Sequence, residues 1–280
     1  MGICNVTPDS FSDGGQAYEE KDARNKIDTL LREGADILDI GGESTRPRAP
    51  LVPPDVQLAR VLPVVRYAVE KAAEAGACVS VDTSSAEVAR VCLEAGAWAI
   101  NDVSCLREDA LASEIARAGA AFILMHARGS QAEMHGFSDY RGAYGDVVTD
   151  VVTEWRAAAD RAVARGVPRD ALWMDPGLGF AKTAAQSLEL LRRLPEIERG
   201  ASAPVVIGAS RKSFLKVADA QAEPQERLGA SLAAAIHAAA QGARVVRVHD
   251  VRATRQALEL MTKLGAPFVH AQTGRRPADA

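Results

Sequence analysis

The chain of 280 residues is 48% hydrophobic and 25% charged, with a formal net charge of −4 at pH 7. This apolar fraction excludes intrinsic disorder, and the mild acidity argues against a nucleic-acid partner, which usually needs a basic surface. No apolar run approaches the length of about 18 residues that a membrane span needs, and the apolar N-terminus lacks the basic segment of a signal peptide. The four cysteines show no CxxC or zinc spacing. We therefore expect reduced thiols, no membrane association and a cytoplasmic location.

Short apolar runs alternate along the chain with longer helical patterns rich in Ala, Leu, Glu and Arg. The runs are apolar throughout, which is typical of buried parallel strands. The eight predicted strands are Met1–Val6, Ala35–Ile40, Cys78–Val81, Trp98–Asn101, Ala121–Met125, Ala171–Met174, Pro204–Ile207 and Arg244–Val248. The helical patterns are Ala23–Glu33, Asp55–Ala75, Ala86–Ala95, Leu111–Ala118, Val147–Arg165, Ser187–Ile197, Arg227–Gln241 and Arg252–Lys263.

Eight strand–helix units predict an α/β fold, a single closed (β/α)8 barrel. The barrel is expected over residues 1–271, followed by a flexible tail at 272–280. The structural alternative is a doubly wound open sheet, which would need a glycine fingerprint in its first strand–helix turn. Residues 7–15 form a different kind of loop. Two connections, 42–54 and 127–145, are long enough to predict a functional or moving loop.

Every predicted strand runs into a polar or ionisable residue at its carboxyl end. In a barrel these ends meet at one rim, which is where barrel active sites lie. The residues are Asn5, Asp39 with Glu43, Thr45 and Arg46, Asp82, Asn101 with Asp102, His126, Asp175, Ser210 with Arg211 and Lys212, and Arg247 with His249. Since buried charges must be paired or bind a ligand, the pattern predicts a binding site at this rim.

The chemistry of the predicted rim differs from one side to the other. Asp82, Asn101 and Asp175 offer acceptors and an amide to a flat, nitrogen-rich heterocycle, because a carboxylate can accept two parallel N–H bonds. Arg247, with His249 and Asn5 beside it at barrel closure and Arg46 from the second loop, suits a phosphate group. Lys212 and Ser213 follow the seventh strand, where barrels commonly bind anions. The strand ends alone therefore suggest a heterocycle that carries a phosphoryl leaving group.

For several of these residues, a purely structural role is an alternative interpretation to ligand binding. Asp39 is either a ligand group or a buried partner of an arginine, and Asp102 either contacts ligand or caps a helix. His126 is read as a packed histidine with one hydrogen bond. The run at 208–213 lacks the glycine of a P-loop because Arg211 stands there. No HxxxH or HExxH pattern supports a dedicated metal cage.

Two long motifs resemble signatures of the dihydropteroate synthase family. NVTPDSFSDGG at 5–15 resembles the N-terminal signature, and DIGGESTRP at 39–47 resembles the second. Shorter matches follow in order at VDT 81–83, IND 100–102, LMH 124–126, DPG 175–177, SRKSF 210–214 and RVH 247–249. The matches reach all eight predicted strand ends.

The resemblance implies an enzyme that joins 6-hydroxymethyl-7,8-dihydropterin diphosphate to p-aminobenzoate, releasing diphosphate, in folate biosynthesis. It also implies a homodimer and Mg²⁺ close to Asn5. The implied pterin contacts are Asp82, Asn101, Met125, Asp175 and Lys212. The implied diphosphate contacts are Asn5, Arg247 and His249, and the implied p-aminobenzoate contacts are Thr45, Arg46, Pro47, Phe180, Lys212 and Ser213. The residues expected to carry the chemistry are Lys212, Arg247, His249, Asp82 and Asp175.

The chain departs from the family pattern at a few positions. Arg48 and Ala49 stand where Gly and Ala are expected, and Leu178 stands where Phe is common. Cys105 and Ala181 replace expected glycines. Two rivals remain: a pterin-barrel methyltransferase acting on a corrinoid, which would not need the 210–214 run or the N-terminal signature, and a non-catalytic pterin-binding paralogue.

Overall fold

The computed structural model describes residues 1–7, 15–43, 52–129 and 144–265. Within them lie eight strands, β1 (Gly2–Asn5), β2 (Ile37–Gly41), β3 (Cys78–Asp82), β4 (Ala99–Asp102), β5 (Ala121–Met125), β6 (Leu172–Asp175), β7 (Val206–Ile207) and β8 (Val245–Val246). The helices of the same residues are α1 (Gly15–Arg32), α2 (Pro54–Ala75), α3 (Ala86–Glu94), α4 (Asp109–Ala118), α5 (Val147–Ala164), α6 (Ala184–Arg192), α7 (Leu194–Ala201), α8 (Leu228–Ala240) and α9 (Val251–Lys263). Short 3₁₀ helices cover Arg169–Ala171, Ser213–Val217 and Pro224–Arg227.

The strands close into a barrel, which confirms the predicted (β/α)8 fold. Strands β1 to β6 form one parallel sheet in chain order, and β7 pairs with β8. Single parallel bridges join the two sheets, Met174 to Val205 on one side and Gly2 to Val248 on the other. The backbone amide of Ile3 donates to the carbonyl of Val248 at 3.0 Å, so the last strand meets the first.

Alternation along the strands separates two apolar cores. Outward residues such as Leu38, Val79 and Phe122 pack against the helices in the larger cluster. Inward residues Met1, Ile37, Cys78, Ile123 and Val206 form a second cluster, against which Trp98, Trp173 and Val245 pack. Met1, Ile37, Cys78 and Val206 lie at the amino ends of their strands, and Ile123 lies in the middle of β5. The lower barrel is therefore filled with apolar side chains, and the polar positions lie above it, towards the carboxyl ends.

Helix boundaries follow local sequence signals. Ser85 caps α3 by accepting from the amide of Val88, and Thr183 caps α6 in a reciprocal pair with Gln186. Gly76 ends α2 in a left-handed conformation. None of the helices in the described ranges is long and apolar enough to cross a membrane.

Two predicted helices differ from those observed. The pattern Ser187–Ile197 is divided into α6 and α7 at Arg193, because Pro195 has no N–H to donate to the preceding turn and is tolerated only at the start of a new helix. Helix α1 begins at Gly15, earlier than the expected Ala23. Most of both long loops, at 44–51 and 130–143, and the whole of the expected tail at 272–280 fall outside the described residues.

Candidate active site

The carboxyl ends of the strands bring the predicted polar residues to one rim. Asn5 pairs in register with Gly41, Gly41 with Asp82, and Asp82 with Asn101. Farther round, Met125 pairs with Asp175. Asp82, Asn101, Met125 and Asp175 are all buried, while Asn5 is exposed at the mouth.

Arg247 lies at the centre of a buried charge network. Its Nε donates to Oδ2 of Asp39 at 2.6 Å, and its Nη2 donates to Oδ2 of Asp82 at 2.9 Å. Asn101 donates from Nδ2 to the same Asp39 oxygen at 3.1 Å. The interpretation of Asp39 as a buried partner of an arginine is confirmed. The two chemical sides that the sequence suggests are thus in direct contact through Arg247.

One acceptor in this network has no partner. Oδ1 of Asp39 is buried and makes no hydrogen bond to any described residue, and neither does the hydroxyl of Ser80. A buried carboxylate oxygen without a donor is costly unless a ligand or water supplies one. The base of the polar cluster is therefore incomplete in the protein alone.

Asp175 faces the same space as Arg247. A Cβ atom built on Gly208 would lie 3.9 Å from Oδ2 of Asp175 and 3.9 Å from Cβ of Arg247, so both flank this glycine. Oδ1 of Asp175 accepts from the amide of Gly177 at 2.7 Å, which leaves Oδ2 to the site.

Lys212 lies beside the segment that follows β6. Its Nζ donates to the carbonyl of Leu178 at 2.5 Å and lies 4.5 Å from the centre of the Phe180 ring. Ser213 begins a 3₁₀ helix, as the prediction of a helix start requires, and its buried Oγ has no hydrogen-bond partner among the described residues. The Lys212 amine thus contacts the segment that contains Leu178 and Phe180, and Ser213 follows Lys212 directly in the chain.

Ser210 orients His249. The backbone amide of His249 donates to Ser210 Oγ at 3.2 Å, and the same Oγ lies 3.0 Å from Nδ1 of the ring. This arrangement favours donation by the hydroxyl to Nδ1, with the ring proton on Nε2. Burial, reinforced by the charges of Arg247 and Arg211, lowers the pKa of His249 to about 3. The imidazole is therefore neutral near pH 7.

Burial shifts the ionisation of the other site groups towards their neutral forms. Desolvation raises the pKa of Asp82 to about 7, against the opposing charge of Arg247. It also raises the pKa of Asp175, opposed by Lys212, and lowers the pKa of Lys212 to about 8. Such perturbed groups gathered at one rim are typical of a functional site.

A second buried network lies beside the first and was not predicted from the sequence. Nζ of Lys182 lies 2.9 Å from Nδ1 of His126, and Nε2 of His126 lies 3.0 Å from Oε2 of Glu154. Arg128 in turn pairs with Glu154. The sequence prediction of one hydrogen bond for His126 is wrong, because both ring nitrogens are engaged. The available signal was Lys182 itself, a lysine placed between an apolar segment and a helix cap.

Asp102 organises its own loop. Its two oxygens accept from the amides of Ser104 at 2.8 Å and Leu106 at 2.6 Å. It therefore caps a turn between β4 and α4, whereas the helix itself begins after Glu108.

Three predicted site residues, Thr45, Arg46 and Pro47, lie outside the described residues. The predicted metal ligand Asn5 is described, and no cluster of three or more His, Cys, Asp or Glu side chains that could hold a metal occurs in the described ranges. Asn5, exposed at the mouth, carries an amide oxygen, which is a hard ligand of the kind that Mg²⁺ accepts.

The fold and the rim define a (β/α)8-barrel protein with a polar, partly charged site at the carboxyl ends of its strands. The model of the pterin binding enzyme family matches residues 1–249. The dihydropteroate synthase of Mycobacterium leprae is 45% identical over 268 residues, 93% of this chain and 91% of that protein. The chain belongs to the pterin binding enzyme family.

Solved structures agree with this assignment. A structure of Xanthomonas albilineans dihydropteroate synthase with 4-aminobenzoic acid is similar with a TM-score of 0.85 and 39% identity, covering 95% of this chain and 92% of that one. A structure of dihydropteroate synthase from the same organism in complex with 7,8-dihydropteroate has a TM-score of 0.83 and 37% identity, covering 95% and 93%.

Proposed function

We propose that this protein condenses 6-hydroxymethyl-7,8-dihydropterin diphosphate with p-aminobenzoate, giving 7,8-dihydropteroate and diphosphate. The observation that carries the proposal is the buried cluster of Asp82, Asn101 and Asp175 around Arg247 at the barrel rim. The similarity of this protein to named dihydropteroate synthases, across more than nine tenths of its chain, supports the same reaction.

The pterin would lie against the acids. Oδ2 of Asp175 would accept N–H bonds from the amidine-like edge of the ring, and Asp82 and Asn101 would bind its other polar atoms. Met125 is buried at the end of β5 and would pack near the ring. Lys212, close enough to Asp175 for its charge to oppose the raised pKa of that acid, would bond the polar edge of the pterin.

The diphosphate would lie against Arg247, neutral His249 donating from Nε2, and Asn5. Arg247 would have to share its guanidinium between the leaving group and its present partners, Asp39 and Asp82. Asn5 would hold Mg²⁺ bound with the diphosphate, where the ion would supply further neutralisation of negative charge.

The p-aminobenzoate would lie against Phe180, Lys212 and Ser213, together with Thr45, Arg46 and Pro47 from the second loop. The unpartnered hydroxyl of Ser213 supports a carboxylate contact at this point. The amine of Lys212 beside the Phe180 ring supports a wall for the arene.

We further propose dissociative substitution. The bond between the pterin methylene and the diphosphate oxygen breaks first, and its electron pair leaves with the diphosphate. The electron-rich dihydropterin, held by Asp82 and Asp175, carries the positive charge. The amine nitrogen then forms the new C–N bond and loses one proton to solvent or to the released diphosphate. No strong base is needed, since an arylamine is a neutral nucleophile.

The test is to incubate the protein with both substrates and Mg²⁺ and to measure 7,8-dihydropteroate and diphosphate. Formation of both in equal amounts supports the proposed function. A pterin that binds without turnover would indicate the non-catalytic paralogue, and methyl transfer between a folate and a corrinoid would indicate the methyltransferase. Slow diphosphate release without the amine supports the dissociative order, whereas complete dependence on the amine would contradict it.

We also propose a single-domain homodimer in the cytoplasm. The family resemblance supports the dimer, and light scattering of the purified protein at several concentrations tests it. The free cysteines Cys4, Cys78, Cys92 and Cys105 support a reducing compartment. Fractionation of cells followed by immunodetection tests the location.

A further inference from the structure

Lys182 is among the largest fully buried side chains of the described residues, with 1% of its surface exposed. It ends the connection between β6 and α6, directly before the capping residue Thr183. Besides Nδ1 of His126 at 2.9 Å, its Nζ lies 3.0 Å from the carbonyl oxygen of Phe180 and 3.4 Å from that of His126. A lysine is rarely buried to this degree unless its amine is fully bonded.

The ionisation states of Glu154 and His126 define which group donates in each hydrogen bond around Lys182. Glu154 is ionised, because hydrogen bonds from Arg128 and His126 lower its pKa to about 2. Burial, with the charge of Lys182, lowers the pKa of His126 to about 4. The neutral ring therefore donates from Nε2 to Glu154 and accepts at Nδ1. Burial lowers the pKa of Lys182 itself to about 7. Its amine faces three acceptors, which matches the three N–H donors of its ammonium form.

This amine holds the loop that carries the site residues. A Cβ on Gly177 would overlap the carbonyl oxygen of His126, so the loop backbone lies directly on the end of β5. Two lysines then hold successive parts of the loop, since Lys212 donates to the carbonyl of Leu178 and Lys182 to that of Phe180. The Phe180 ring, whose backbone carbonyl Lys182 bonds, lies 4.5 Å from the Lys212 amine.

We propose that Lys182 is a positioning residue that fixes Phe180 in the wall of the arylamine site, with His126 and Glu154 holding its amine in place. The proposal rests on the proposed function, in which this wall contacts p-aminobenzoate. Lys182 acts through Phe180, because its three amine contacts are all to groups of the protein. The pterin acids have other hydrogen-bond partners: Asp82 is held by Arg247, and Asp175 by the amide of Gly177. Lys182 reaches Asp175 only through the interaction of their charges.

The position of Lys182 therefore predicts a selective effect. Loss of its amine releases the Phe180 carbonyl and leaves Nδ1 of His126 without a donor. The wall then samples other positions, and binding of the aromatic amine weakens. Binding of the pterin diphosphate is affected less, because its contacts are held by other hydrogen bonds and only the charge of Lys182 reaches it, through Asp175. A residue needed only for folding would instead reduce the amount of active protein and leave both KM values unchanged.

The experiment compares Lys182→Met with wild type in steady-state assays, with the active fraction counted by calorimetric titration with 6-hydroxymethyl-7,8-dihydropterin. We expect the KM for p-aminobenzoate to rise about tenfold, in keeping with loss of a buried hydrogen bond, and the KM for the pterin diphosphate to stay within about twofold. The matched control is Lys263→Met, which removes the same charge from the exposed end of α9. It should leave both constants unchanged.

A second variant decides the question if Lys182→Met does not fold. Glu154→Ala changes a side chain that is 38% exposed and removes the acceptor that fixes the His126 ring. We expect a rise in the same KM of about threefold, as expected for an indirect contact. An unchanged KM for p-aminobenzoate in the folded variants, or an equal rise in both KM values, overturns the positioning role. Absence of condensation by the wild type would instead overturn the proposed function, so the two failures are distinguishable.

Discussion

At the scale of single residues, Asp175 is the clearest test of the pterin site. One of its oxygens is occupied by the amide of Gly177, and the other faces the site beside Gly208. Asp175→Asn replaces a charged acceptor by a neutral amide, so that one N–H of the bound ring meets a poorer partner. We expect calorimetry to show a loss of affinity for 6-hydroxymethyl-7,8-dihydropterin on the order of 10- to 100-fold.

The matched control is Asp36→Asn. Asp36 precedes β2 at the opposite end of the barrel, and its side chain is 84% exposed. The same chemical change there should leave pterin affinity unaltered. Retained affinity in the Asp175 variant would remove this residue from the proposed pterin contacts.

The raised pKa of Asp82 makes a prediction about stability. Its carboxyl has a pKa of about 7 in the folded protein, because burial disfavours the charged form, and an ordinary pKa of 3.8 when the chain is unfolded. Between these two values the folded state binds more protons than the unfolded state, so this group lowers the free energy of unfolding as pH rises from about 4 to 7. The loss is complete above pH 7 and absent below about pH 4.

Asp82→Asn removes this titration. Compared at each pH by urea unfolding, the wild type should lose stability relative to the variant between pH 4 and 7, by a few kcal/mol in total. A constant difference across this interval would show that Asp82 keeps an ordinary pKa in the folded protein.

At the scale of elements, the connection between β6 and α6 contains a strained residue. Ala181 has φ of +49°, and Cys105, another position where the family resemblance leads to an expectation of glycine, has φ of +60°. A side chain disfavours this left-handed region by roughly 1–2 kcal/mol. Ala181→Gly should therefore raise the free energy of unfolding by about 1 kcal/mol, measured by chemical denaturation.

An alanine inside a helix provides the opposite control. Ala185→Gly, at an exposed position in α6, should lower stability by roughly 0.5–1 kcal/mol because the helix conformation is easily reached by alanine. A decrease for Ala181→Gly as large as that for Ala185→Gly would contradict the assignment of strain to this loop.

The same elements show what the sequence can predict and what it cannot. The eight strands were predictable because each is a short apolar run, and their polar carboxyl ends identify the rim without any contact information. The pairing of Asp39 with an arginine was one of two open interpretations, but neither the choice of Arg247 nor the bond of Arg247 to Asp82 was predicted. Lys182 was missed, because its partner His126 is distant in sequence and meets it only when β5 and β6 lie side by side.

At the scale of the whole molecule, the hydrogen bonding between strands and the burial of their side chains vary around the barrel. Strands β1 to β6 share continuous ladders, whereas β7 and β8 each contribute two residues and are joined to the rest by single bridges. All residues of β3 are buried, but Val245 and Val246 are half-buried. Fewer ladder bonds and less burial lower the free energy of local opening.

The part of the barrel formed by β7 and β8 also carries several site residues. Ligand binding is therefore expected to affect how firmly β7 and β8 pair with the other strands. Arg247 follows β8 and bonds across the barrel to side chains of β2 and β3, while Gly208 and Ser210 follow β7. A ligand that binds the acids and Arg247 together should hold β7 and β8 against the rest of the barrel.

We expect amide hydrogen exchange of residues 204–210 and 243–249 to be faster than that of residues 98–102 in the free protein. On addition of 6-hydroxymethyl-7,8-dihydropterin, inorganic diphosphate and Mg²⁺ it should slow selectively, since ligands stabilise the closed state by mass action. Equal protection of all strands before and after addition would show that closure of the barrel and occupation of the rim are independent.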